Sequence, residues 1–309
     1  IQETVSRNRE AQLAAFFSQT ASEQSGGSIY WEARTLDSSG ELLNEFRDHL
    51  TEWSEISRNT LALVLNAGEG LLLGEFLRRI SEENVYGLVE SSDEKQILGT
   101  LFNKTTTGTE AKIAVDSSGC PASFEIADLR FERIVGRNVL QKHADKSGFL
   151  ETLKPWISAD GFFVFGETVP ALGQRLSDLI PEELLESDFR KRLKAAEKKI
   201  YLDEENVRSS WTPSTLRDEL KGANWNIIRW QVKEYSIPTM IRTEQIEQWV
   251  PSHQDSPHSS YGQRLSAYFS PEQLNYLRET FLNEVAGKVV EWHSVSLFMQ
   301  LKPKISNGS

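Results

Sequence analysis

Hydrophobic and polar positions in this chain repeat with two periods. Residues 1–18, opening "IQETVSRNREAQLAAFF", have helical spacing, and the polar run "SQTASEQSGGS" (18–28) breaks it. The folded region is expected from Ile29. "DSSGELLNEFRDHLTEW" places a cap-like Ser39 before a helix with Leu42, Leu43, Phe46 and Leu50 on one face. "NTLALVL" (59–65) is a continuous apolar run ahead of two close glycines, as expected of a strand buried on both faces of a parallel sheet. The helix "LLLGEFLRRISEE", the strand "VYGLVE" and the helix "SDEKQILGTLFNK" follow. "FERIVGRNVL" (131–140) reads as a further buried strand, "FLETLKPWISADG" as helix, Pro and a Gly turn, and "FFVFGE" (162–167) as the next strand. Residues 171–208 read as charged and helical, and "TPSTLRDELKGANWNIIRWQV" as helix then strand. "KVVEWHSVSLFMQLKP" is long and alternates better than the others, so it is a candidate antiparallel edge strand.

Buried strands alternating with amphipathic helices predict a doubly wound α/β fold, with a mostly parallel sheet and helices on both faces. Its 309 residues are enough to bury a sizeable core. The formal charge of −11 repels nucleic-acid backbones and anionic membranes, so no direct nucleic-acid partner is expected. Cys120 is the single cysteine, which excludes an internal disulfide and fits a reducing compartment. With no apolar run of membrane-spanning length and no signal peptide, a cytoplasmic protein is expected. The five histidines are scattered, and His253 and His258 share the loop "SHQDSPHSSYG", so no metal site is expected. The chain opens on Ile1 in helix-like sequence, as a piece of a longer polypeptide would.

"NAGEG" (66–70) carries the first candidate chemistry. A Gly-x-Gly turn between a buried strand and a helix lets a ligand approach the backbone and meet free N–H groups, although such glycines also serve simply to make the turn. Glu90, about 20 residues beyond Gly70, ends the second strand, where a carboxylate can accept hydrogen bonds from a ribose diol. Together they favour an adenosine-containing ligand. A dinucleotide site asks for glycine where Leu73 stands, with Gly74 one step late, and no phosphate-loop Gly-Lys-Ser/Thr follows.

The order strand, Gly-x-Gly, helix, strand, acid, then "FERIV" (131–135) and "LKPWISADGFFVF" (153–165), resembles the class I S-adenosylmethionine-dependent methyltransferases. "WNIIRWQV" and the final strand take the places of that family's closing antiparallel hairpin, so the likeness spans about residues 40–303. It implies a Rossmann-type sheet whose antiparallel last strand, "VVEWHSVSLFMQL", lies between two neighbours, and S-adenosylmethionine held by Asn66, Gly68, Gly70 and, at the ribose, Glu90. Asp116 or Asp128 would be the adenine-side acid. Arg137, Asn138 and Glu167, at the ends of the fourth and fifth strands, would face the methyl group, with a helix cap as the plainer reading of Asn138. His143 reads more simply as an exposed helix residue than as a base. The family pattern has an acid at Asn66 and a third glycine at Leu72. Residues 1–28 would be a helix and linker, 29–303 the methyltransferase-like domain and 304–309 a tail. Segments 181–210 and 251–281 would form a substrate lid, with Leu184, Leu185, Phe189 and Leu193 facing inward. Trp211, Trp225, Trp230 and Trp249 are better read as packing residues than as an aromatic cage.

"REAQLAAFF", "LKAAEKKIYLDEENVRSSWTPSTLRDEL" and "SSYGQRLSAYFSPEQLNYLRETF" further resemble the region fused behind the clamp-loader-like AAA+ ATPase of the replication-associated recombination family. That likeness implies a covalently attached ATPase. It leaves two readings open: a methyltransferase for a small-molecule or protein substrate, or a non-catalytic interaction module.

Overall fold

The computed structural model describes residues 40–103, 112–119, 121–124, 129–203, 206–207, 209–252 and 260–304. Its contacts divide the chain into two compact units, one of residues 43–169, 211–233 and 296–309, the other of residues 1–42, 170–210 and 234–295.

Along the chain, strands and helices alternate as expected from the sequence, and the first five strands lie in the first unit. Helix α1 (Gly40–Trp53) leads to β1 (Ala62–Leu65), α2 (Leu71–Arg79), β2 (Val85–Val89), α3 (Ser92–Asn103), β3 (Lys112–Val115) and β4 (Phe131–Arg137). Then come α4 (Lys146–Leu153), β5 (Ile157–Thr168), α5 (Ser187–Leu202), α6 (Pro213–Gly222) and β6 (Trp225–Met240). Helices α7 (Thr243–Trp249), α8 (Tyr261–Leu265) and α9 (Pro271–Glu284) precede β7 (Val289–Pro303). The seven strands lie in the order β3-β2-β1-β4-β5-β7-β6. β1 pairs in parallel with β2 and β4, β2 with β3, and β4 with β5, while β7 runs antiparallel to β5. β1 and β2 are buried along their whole length, which is why they read as unbroken apolar runs.

Antiparallel β7 lies between β5 and β6, set between two neighbours as the expected sheet requires and not at the edge that its alternation also allowed; its outer residues alternate, but Ser294–Leu301 are buried without a break. Two expectations are corrected. The "ISADG" turn is instead the start of β5, where the pairing jumps from Phe131–Ile157 to Arg133–Phe162 and the extra residues bulge. A Cβ on Gly161 would lie 2.9 Å from the Phe131 carbonyl oxygen, so the bulge needs a glycine. Residues 171–186 form short 3-10 turns and not helix, with Pro170 opening one turn and Pro181 preceding another.

In the second unit α5 buries Phe189, Leu193, Ala196 and Ile200. Leu185 is buried ahead of that helix, whereas Leu184 is exposed. Trp211, Trp225 and Trp249 are all core residues. The loop with His253 and His258 lies outside the described residues, as do Cys120 and residues 1–39.

Candidate functional site

At the C-terminal end of β1 the chain turns on Asn66, whose backbone is left-handed (φ 50°), a conformation asparagine tolerates better than most residues. A 3-10 turn over Ala67–Glu69 follows, and Gly70, also left-handed at φ 70°, starts α2. The Glu94 carboxylate, in the first turn of α3, lies against Gly68, where a Cβ would come within 2.6 Å of its carboxyl carbon. Glu94 also accepts the Glu90 backbone N–H at 2.8 Å.

Glu90 stands just past β2 with a half-exposed side chain that pairs with Lys142. The same ammonium donates to Asn66 Oδ1 at 2.8 Å, and Asn66 Nδ2 donates to the Arg137 carbonyl at 2.9 Å. Thus Asn66, Lys142 and Glu90 form one polar bridge linking the ends of β1 and β2. Arg137 is buried and grips Glu69 with two hydrogen bonds, Nε at 2.9 Å and Nη2 at 2.6 Å, so its guanidinium is held by the glycine turn itself.

Asn138 and Glu167 serve the backbone where β4 meets β5. Asn138 is left-handed (φ 54°); its N–H donates to the Gly166 carbonyl and its Oδ1 accepts from the Thr168 N–H, both at 2.8 Å. This extends the β4–β5 ladder by one rung and caps no helix; the next turn, Leu140–Lys142, has no side-chain cap from its own N-cap residue Val139. Glu167 supplies the acceptor instead. It is fully buried and accepts the N–H groups of Val139, Leu140 and Gln141 at 2.8, 2.9 and 3.2 Å. Burial pushes its carboxyl up to about 7, against the opposing pull of those three hydrogen bonds and of Lys146.

Asp116 leaves β3 and accepts from the Ser118 N–H and hydroxyl at 2.7 and 2.5 Å, while its own N–H donates to the Val89 carbonyl. Asp128 lies outside the described residues. His143 is half-buried and stacks on Phe149, ring centres 3.7 Å apart and 10° from parallel. Burial holds its imidazole below the usual range, Lys142 and Lys146 lower it further, and Glu90 works the other way.

The structure therefore gathers Asn66, Gly68, Gly70, Glu90 and Arg137 around one turn, with Asp116 beside the end of β2. Sequence reasoning missed Glu69, Glu94 and Lys142. Glu94 had a local signal, an acid at the start of a helix and four residues after Glu90. Lys142 had none, since only strand order brings β4's exit beside β1 and β2. Among the described residues no group of three or more His, Cys, Asp or Glu could hold a metal, and no helix is long and apolar enough to cross a membrane.

By sequence, no protein family and no curated protein matches this chain. By structure it is similar to a proposed methyltransferase from Bacillus halodurans, at TM-score 0.50 and 13% identity over 83% of this chain and 98% of that one. The fold is methyltransferase-like. A SAM-dependent methyltransferase from Geobacter sulfurreducens, solved with S-adenosyl-L-homocysteine, covers 85% of this chain and 90% of its own at 12% identity and TM-score 0.44.

Proposed function

We propose that this chain binds S-adenosylmethionine where β1 and β2 end and serves as a methyltransferase for a substrate that arrives already nucleophilic. The observation that carries the reading is the Glu90 carboxylate, half-exposed and bridged through Lys142 to Asn66 in the glycine turn. Glu90 would accept the ribose hydroxyls, the Asn66–Gly70 turn would line the methionine portion, and Asp116 would stand towards the adenine. When bound, the cofactor supplies an electrophilic methyl group. The chain's own part is positioning.

Two side chains must first move, and both can. The Lys142–Glu90 pair is partly exposed, and pairs of that kind contribute about 0–1 kcal/mol. A micromolar ligand gains about 8 kcal/mol, so the pair competes without blocking. Glu94 meets Gly68 with the far end of a flexible side chain. A pre-formed nucleophile is favoured because the acids at the strand ends are engaged: Glu167 with three backbone N–H groups and Glu69 with Arg137.

Calorimetry with S-adenosylmethionine and S-adenosylhomocysteine tests this directly. Binding should appear below millimolar concentration, and Glu90→Ala should weaken it about tenfold or more, the loss expected for a charge-assisted hydrogen bond. No heat and no thermal shift at millimolar ligand would sink the reading. If residues 181–210 act as the lid, hydrogen exchange should slow there as well as at residues 66–70 when the ligand is added.

The second reading is a non-catalytic methyltransferase-like module attached to an AAA+ ATPase. The commitment of Arg137, Asn138 and Glu167 to ion pairing and backbone hydrogen bonds favours it. Binding without transfer of the labelled methyl group to any protein or small molecule of a cell extract, and without release of S-adenosylhomocysteine, would support it.

A further inference from the structure

β6 ends the strand order, so one of its backbone edges has no sheet neighbour among the described residues. Its stretch Asn226–Lys233 lies within the first unit and contains no proline. The two faces differ. Arg229 pairs with Glu55, Gln231 meets the His49 ring nitrogen at 3.1 Å and Lys233 pairs with Glu45, so this face is turned to α1 and the loop after it. Ile228, Trp230 and Val232 share the opposite face, where Ile228 is 55% and Val232 43% exposed and Trp230 is partly so. Edge strands are usually protected by charges or proline, and here both cations lean back onto acids of their own unit.

We infer that this edge is where a second copy of the chain docks, two β6 strands pairing antiparallel about Trp230 into one continuous sheet. The residues themselves choose that register. A two-fold axis perpendicular to the sheet sets like-facing residues opposite each other. Centred on Trp230, it pairs Trp230 with its mate, Ile228 with Val232, Arg229 with Gln231 and Ile227 with Lys233. Cross-strand aromatic and β-branched pairs are the stabilising kind, and no like charges face each other. Centring on Arg229 opposes two arginines, and centring on Gln231 opposes Arg229 to Lys233. Both put like charges directly opposite, while centring on Ile228 or Val232 avoids that but sets Trp230 against Asn226 or Glu234, without an aromatic partner.

Sedimentation equilibrium on the intact chain is the first test. A dimer is expected, and Trp230→Lys should raise its dissociation constant about tenfold or more, because two lysines would then face each other at the axis. Trp230 is partly buried with the Arg217 guanidinium 5.8 Å from its ring centre, so the melting temperature of the variant is measured alongside, and Val232→Lys, at a position 43% exposed, should weaken the dimer with wild-type melting behaviour. Register is read by oxidative cross-linking in a Cys120→Ser background. Trp230→Cys should cross-link to itself, and Ile228→Cys should link to Val232→Cys in a mixture but not to itself. A monomer at tens of micromolar, a dimer indifferent to Trp230→Lys, or self-linking by Ile228→Cys would each overturn the proposal.

Discussion

Glu167 and Lys142 show how far a side chain's neighbours redefine it. Glu167 ends a strand as a catalytic acid would, yet its two oxygens hold three N–H groups of the 139–141 turn. Its folded carboxyl, at about 7, lies above the ordinary 4.5. Between those two values the folded state binds the extra proton, so stability falls as pH rises through this window, by about 3 kcal/mol in total. Denaturant titrations at pH 4.5 and 8 should show that fall, and Glu167→Gln should flatten it. Lys142→Ala removes the ammonium that competes at Glu90, so S-adenosylmethionine should bind severalfold tighter in calorimetry, within the reach of about 1 kcal/mol. Neither outcome follows from residue type. Both follow from which backbone or carboxylate the tertiary structure places opposite.

Elements were legible where burial was uniform and obscure where it changed along one element. β1 announced itself through its unbroken Ala-Leu-Val-Leu run, β2 through Val85–Val89 with no charged or strongly polar residue, and α1 through Leu42, Phe46 and Leu50 on one stripe, all buried. β7 was ambiguous by pattern alone: its first residues alternate as an edge strand's would, while the eight buried positions Ser294–Leu301 mark a strand with a neighbour on each side. The start of β5 misled because a bulge has a turn's composition: Ser158, Ala159, Asp160 and Gly161. Gly161→Ala should cost about 1–3 kcal/mol in chemical denaturation, since the new methyl group meets the Phe131 carbonyl and the Ile157 side chain. In α5, Leu193→Ala should cost about 2–5 kcal/mol by the same measurement, because its side chain is fully buried.

For the whole molecule, the charge of −11 bears on how two copies meet. Two copies repel at long range, so the β6 dimer proposed above should tighten as salt rises towards physiological ionic strength, where charges separated by more than about 8 Å are screened. Sedimentation at low and physiological salt checks the direction.

The sequence by itself determined the α/β class, the parallel strands buried on both faces, the Gly-x-Gly turn and the acid after β2, because each is written in local periodicity or in one short motif. Only the tertiary structure decided who occupies that turn. Glu69 meets Arg137 across 68 positions, and Lys142 meets Asn66 across 76. Strand order sets these encounters, and pairings between residues so distant along the chain leave no periodic trace in it. The same holds for Glu167, which reads as a strand-end acid until β5 lies beside β4 and the turn's free N–H groups close around its carboxylate.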